Sequence, residues 1–160
     1  MTIERFQSMY EDVCRAVDAP TALISGASDD PGQPAAFHLS RQGVMANVLY
    51  FPGYPDHAFV LIDFGAIPPD HPRVAQIVLA LLEVNFLVPN PNAPAIGRNP
   101  VTGAIALRCV VPLATTMPAQ LLQVIDDGAE LALQWRRDFF LVDEVARRAP
   151  ETVVPVYDLA

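Results

Sequence analysis

A chain of 160 residues is long enough to bury one core and short for two, and its 52% hydrophobic and 18% charged content excludes intrinsic disorder. The formal charge is −8 and all ten basic residues are arginine, which argues against nucleic acid and anionic membrane, because phosphate binding needs clustered cations. The apolar share is high for a small soluble monomer, so part of it should be buried against another chain or a ligand.

Residues 2–17 read as an amphipathic helix. Thr2 can cap it, Ile3, Phe6, Tyr10, Val13 and Val17 recur at helical spacing, and Met9 and Cys14 flank the stripe. The charges at Glu4, Arg5, Glu11 and Asp12 exclude the apolar centre of a signal peptide. Asp18-Ala19-Pro20 ends the helix, since proline disfavours helical geometry in the residue before it. Residues 25–34 are loop material, and 21–24 form a short strand or part of that connection.

Three short strands follow, at 36–40, 44–51 and 58–64, separated by Gly43 and by the turn Pro52-Gly53-Tyr54-Pro55-Asp56. Connections this short make antiparallel pairs, because a parallel crossover needs more chain. A proline-rich corner at 65–72 leads into a helix that runs to about Leu87. Val74, Ile77, Val78, Leu81, Leu82, Val84 and Phe86 cover most of its circumference, leaving a narrow polar strip at Arg73, Gln76 and Glu83. Packing on one face of a sheet needs a narrower stripe, so this helix should be buried on two sides. Even so, its longest apolar run, 77–82, is far too short to cross a bilayer.

After a proline-rich break at 89–94, residues 95–98 and 104–113 form a hairpin across Asn99-Pro100-Val101-Thr102-Gly103. Ile105, Leu107, Cys109, Val111 and Leu113 alternate inward on its second arm. A last helix starts near Pro118, with Thr116 or Met117 at its cap. Its expected buried stripe is Leu121, Val124 or Ile125, Gly128, Leu131, Trp135, Phe139 and Val142, and Arg147 and Arg148 suit its C-terminal end. The organisation is therefore a single domain over 1–149 and a tail over 150–160, an α+β fold with an antiparallel sheet packed by helices.

Catalytic chemistry is hard to find. His38, His57 and His71 lack partners at metal-ligand spacing and read as solvated or core-edge side chains. Asp126-Asp127-Gly128 lacks the alternating carboxylates of a calcium loop and reads as a solvated face beside a close-packing glycine. Asp63 has no evident partner acid or nucleophile and reads as a strand-end carboxylate rather than a general base. No glycine-rich phosphate loop or hydrolase elbow is present, and no metal or cofactor is expected. Cys14 and Cys109 have no metal or redox spacing and read as reduced core residues of a cytosolic protein.

Four segments, in order, resemble the class I effector chaperones of bacterial type III secretion, the Tir-chaperone-like family. They are Leu61-Ile62-Asp63-Phe64-Gly65-Ala66-Ile67-Pro68, Leu81-Leu82-Glu83-Val84-Asn85, the hairpin from Gly97 to Leu113, and Ala132-Leu133-Gln134-Trp135-Arg136. The match covers about residues 36–142, and the 25–34 loop, the 89–94 segment and the tail depart from it. The resemblance implies a non-enzymatic cytoplasmic homodimer that holds the N-terminal segment of a secreted effector in extended form and keeps it soluble before export. An adaptor or regulator of the same fold, binding a folded partner, is the alternative.

The wide apolar arc of the middle helix suits a two-fold interface through Ile77, Val78, Leu81 and Leu82. An outer strand carrying Phe37 and Leu39 can accept an added cargo strand, with Phe6 and Met9 lining the groove. Phe6, Phe37 and Leu39 are equally suited to a core, whose stripes look identical in sequence.

Overall fold

The computed structural model describes residues 3–18, 33–86 and 93–141. Its elements are α1 (Ile3–Ala16), β1 (Ala35–Arg41), β2 (Val44–Tyr50), β3 (His57–Ala66), α2 (Val74–Phe86), β4 (Ala95–Arg98), β5 (Ala104–Pro112) and α3 (Pro118–Asp138). Their order and types are those expected from the sequence. The strands form one antiparallel sheet in the order β1-β2-β3-β5-β4.

Strand alternation divides the sheet into two faces. Inward side chains, among them Phe37, Val48, Val60, Ile62, Phe64, Leu107 and Cys109, are buried beneath α1 and α3. On α1 the ring of Phe6 meets Phe37 at 5.4 Å and Tyr50 at 5.6 Å, and Tyr10 meets Phe37 at 4.7 Å. Gly128 lets α3 lie close on the sheet: a Cβ there would collide with Ile62 Cδ1. The expected close-packing glycine is thus explained by one contact.

Near its end β3 carries a bulge between Asp63 and Gly65. Gly65 has φ +93°, a left-handed geometry that glycine adopts without steric cost. The Asp63 carboxylate accepts the Gly65 N–H at 2.8 Å, and Arg136 donates to the carbonyls of Asp63 and Phe64 at 2.8 and 3.1 Å. Asp63 therefore shapes the bulge.

The last helix ends sooner than its periodicity predicts. Phe139 takes a left-handed conformation and its N–H returns to the Trp135 carbonyl at 2.7 Å. Phe140 follows in the same region, and the two rings fold back on Trp135, His71 and Phe64. Packing of these partly buried aromatics against the core offsets the strain of two non-glycine left-handed residues. The buried stripe is Leu121, Ile125, Gly128, Ala129, Ala132 and Trp135, and the expected Leu131 is exposed. Val142, Arg147, Arg148 and the 150–160 tail lie outside the described residues, as do 21–24, most of the 25–34 loop and 89–92.

Candidate functional site

The residues that carry acid–base or metal chemistry elsewhere are spent on structure here. His38 Nδ1 bonds to the Asn47 side chain, and His71 Nδ1 accepts the Arg73 N–H at 3.2 Å. Arg41 donates through Nε and Nη2 to both oxygens of Asp126, at 2.7 and 2.9 Å, tying the β1–β2 turn to α3. Those hydrogen bonds, aided by the charge of Arg41, hold the Asp126 carboxyl below its ordinary range. Asp126 is thus paired, where the sequence suggested a solvated face. Burial pushes the Cys109 thiol up to about 11, leaving it protonated and unreactive at neutral pH. Among the described residues no group of three or more His, Cys, Asp or Glu is placed to hold a metal, and no helix is long and apolar enough to cross a membrane.

What the chain offers instead is apolar surface. The largest exposure is on α2, which meets the sheet at β4. Ile77 and Leu81 point inward and are buried, whereas Val78 and Leu82 are exposed, along with Leu79, Val84 and Phe86, the last at 87%. The four residues expected at a dimer seam are therefore divided, two in the core and two on the free face. A helix turns about 100° per residue, so Leu81 can point inward while its neighbour Leu82 stands on the free side.

Phe6, Met9, Phe37 and Leu39, expected to line a cargo groove, are brought together by the fold, but under α1. Phe6, Met9 and Phe37 are buried, at 0, 5 and 3% exposure, and Leu39 is half-buried against the same core. The groove they would form is filled by α1 itself.

The two edges of the sheet differ. At the β4 edge the Asn85 side chain acts as a substitute strand: its Nδ2 donates to the Ile96 carbonyl at 2.9 Å and its Oδ1 accepts the Ile96 N–H at 2.7 Å. This occupies one pair of the backbone groups that strand addition would use. β1, at the other end, pairs only with β2 among the described residues.

A surface not anticipated from the sequence lies on the outward face of β2, β3 and β5. Leu49, Phe51, Tyr54, Phe59, Leu61 and Arg108 line an open depression of about 480 Å³. Phe59 is its centre, meeting Phe51 at 5.5 Å and Tyr54 at 5.6 Å, both edge to face. Strand register places Leu49 opposite Phe59, and Leu61 opposite Arg108. One signal was available: the unbroken apolar run Val48-Leu49-Tyr50-Phe51 is apolar on both faces, where a strand with one solvated face should alternate.

This architecture is found in solved structures at low sequence identity. It is similar to the ExsC–ExsE complex (TM-score 0.61, 12% identity, 84% of this chain and 92% of that chain). It is also similar to the HopA1–SchA chaperone–effector complex (TM-score 0.58, 12% identity, 83% and 94%). A third likeness is to the Yersinia pestis type III secretion chaperone SycH, solved with a stable fragment of YscM2 (TM-score 0.55, 12% identity, 81% and 98%). A search of curated protein sequences found no relative. The Tir chaperone protein (CesT) family model matches residues 37–136, from β1 to the end of α3, and on that match the chain belongs to the Tir chaperone protein (CesT) family.

Proposed function

We propose that this protein is a non-enzymatic chaperone of the bacterial cytoplasm that holds the N-terminal segment of a type III secreted effector in extended form and keeps it competent for secretion. Membership of a chaperone family supports the class of function. The observation that carries the reading is the outward depression around Phe59, an open apolar surface in a chain whose His38, His71 and Asp126 side chains are engaged in structure. Solved neighbours of this fold, such as the HopA1–SchA chaperone–effector complex, supply the analogy for its occupant. The cargo lies across Leu49, Phe51, Phe59 and Leu61, and β1 with Leu39 at its rim is the open edge for strand addition.

The chaperone works as a homodimer joined through the free face of α2. Val78, Leu79, Leu82 and Phe86 form an apolar surface that a second copy covers isologously, while Ile77 and Leu81 support it from within.

The test is a tagged capture from the bacterium that makes the protein, with protease digestion before mass spectrometry. A protected N-terminal fragment of one secreted protein is the expected result. Capture of a partner that stays intact and is folded when free would replace this reading with an adaptor, and no secreted partner under secretion-inducing growth would overturn it.

A further inference from the structure

Arg108 is a charge set in an apolar surface. β5 presents it outward opposite Leu61, in the depression lined by Leu49, Phe51, Tyr54 and Phe59. Arg5, Arg15, Arg41, Arg73, Arg136 and Arg137 each donate to or pair with an acceptor in the chain. Among the described residues only Arg98 and Arg108 have neither hydrogen bond nor ion pair, and of the two Arg108 stands in this depression. Carboxylates outnumber cations in the chain, 18 to 10, yet among the described residues none neutralises it. Asp63 is the carboxylate nearest in register on the same face, and its Oδ1 is turned to the Gly65 N–H.

A guanidinium presents five donors in a planar fork that suits a carboxylate, and it is more weakly hydrated than an ammonium group. An occupant that covered Phe59 with apolar side chains alone would strip water from Arg108 and leave its donors unmet, which is unfavourable. An occupant carrying one carboxylate at that place meets both demands.

We propose that this depression selects partner segments in which apolar or aromatic residues flank a single Asp or Glu, whose side-chain carboxylate pairs with Arg108. The inference rests on the chaperone reading and deepens it: Arg108 sets the specificity and the aromatic floor supplies the contact area.

The test uses the full chain and a displayed library of random peptides, selected in parallel against the wild type and Arg108→Glu. Arg108 is exposed, so both proteins should give the same circular dichroism melt, and Arg108→Gln serves as a second variant if Arg108→Glu does not fold. The wild type should enrich apolar peptides with one Asp or Glu at a fixed place. Those peptides should bind Arg108→Glu at least about tenfold more weakly, as expected for loss of a charged hydrogen-bonded pair. Replacing their acidic residue by Arg should restore binding to Arg108→Glu. Apolar peptides without acidic enrichment, equal affinity for both proteins, or no enrichment at all would overturn the proposal. Binding unaffected by Phe59→Ser would also overturn it by placing the site elsewhere, and a change from dimer to monomer in Arg108→Glu would assign the face to a second copy. If the captured effector binds wild type and Arg108→Glu equally, the specificity fails while the chaperone reading stands; if no effector is captured, the chaperone reading itself fails.

Discussion

Helices α1 and α2 are nearly equal in length, 14 and 13 residues, and use their apolar side chains in opposite ways. In α1 Phe6, Met9, Tyr10, Val13 and Cys14 are all buried within the chain. In α2 only Ile77 and Leu81 are buried, while Leu79 and Leu82 stand 58 and 59% exposed. The contrast shows that the width of an apolar stripe counts the surfaces a helix must meet. A stripe on one face is satisfied by one sheet, whereas a helix apolar nearly all round has surface left over once the sheet is covered. That remainder costs about 25 cal/mol per Å² while it stays in water, which favours a second covering surface.

The largest effect that would break this comparison is at the α1 face. Phe37→Asp should unfold the protein, because a carboxylate without a partner beneath Phe6 and Tyr10 adds to the lost ring contacts, together about 4 kcal/mol or more. A circular dichroism melt checks it. A folded Phe37→Asp protein that lost only partner binding would return this face to the cargo.

A paired substitution sharpens the reading of α2. Leu82→Asp should leave the protomer fold within about 0.5 kcal/mol of wild type and halve the mass seen by light scattering. Leu81→Asp, one residue away, should prevent folding, since Leu81 is buried. If Leu82→Asp keeps the dimer mass, the interface lies off this helix.

A smaller effect follows from Asn85, which belongs to α2 but serves the sheet. Asn85→Ala removes both bonds to Ile96 and should cost about 1–2 kcal/mol. The freed β4 edge should also raise aggregation on heating, measurable as turbidity.

The smallest effect is at the Arg41–Asp126 pair, whose partly exposed partners are screened by solvent and salt. The folded-state carboxyl is held below its ordinary range, so its stabilisation is present above that range and is lost as pH falls through the folded value. Asp126→Asn should therefore melt slightly below wild type at neutral pH, by about 0.5 kcal/mol or less. The gap should begin to close as the medium is acidified below the ordinary carboxylate value of about 4, and should vanish once the pH has fallen through the lower folded value at which wild-type Asp126 takes up its proton. A gap that widened in acid would contradict this assignment.

Element order, the hairpin at 95–113, the end of α1 and the surplus on α2 were legible in the sequence, because period, turn chemistry and proline act over a few residues. The family pattern was legible too, since its segments are local. The candidate site was legible only in outline. The sequence indicated apolar binding surface, but it could not tell the inward Phe37 from the outward Phe59, since both lie on apolar strands. Which face α1 and α3 cover depends on contacts between distant segments, such as Phe6 with Tyr50 and Gly128 with Ile62.

The chain by itself determined an α+β fold with more apolar surface than one core consumes. The tertiary structure decided where that surplus lies. Antiparallel register sets Arg108 beside Leu61 and Phe59, Asn85 closes one sheet edge, and Phe139 and Phe140 stop α3 by folding back on Phe64 and Trp135. The pairings of Arg108 with Leu61 and of Phe140 with Phe64 join residues far apart in sequence, and such contacts are selected by the summed packing of the whole domain, which local pattern does not contain.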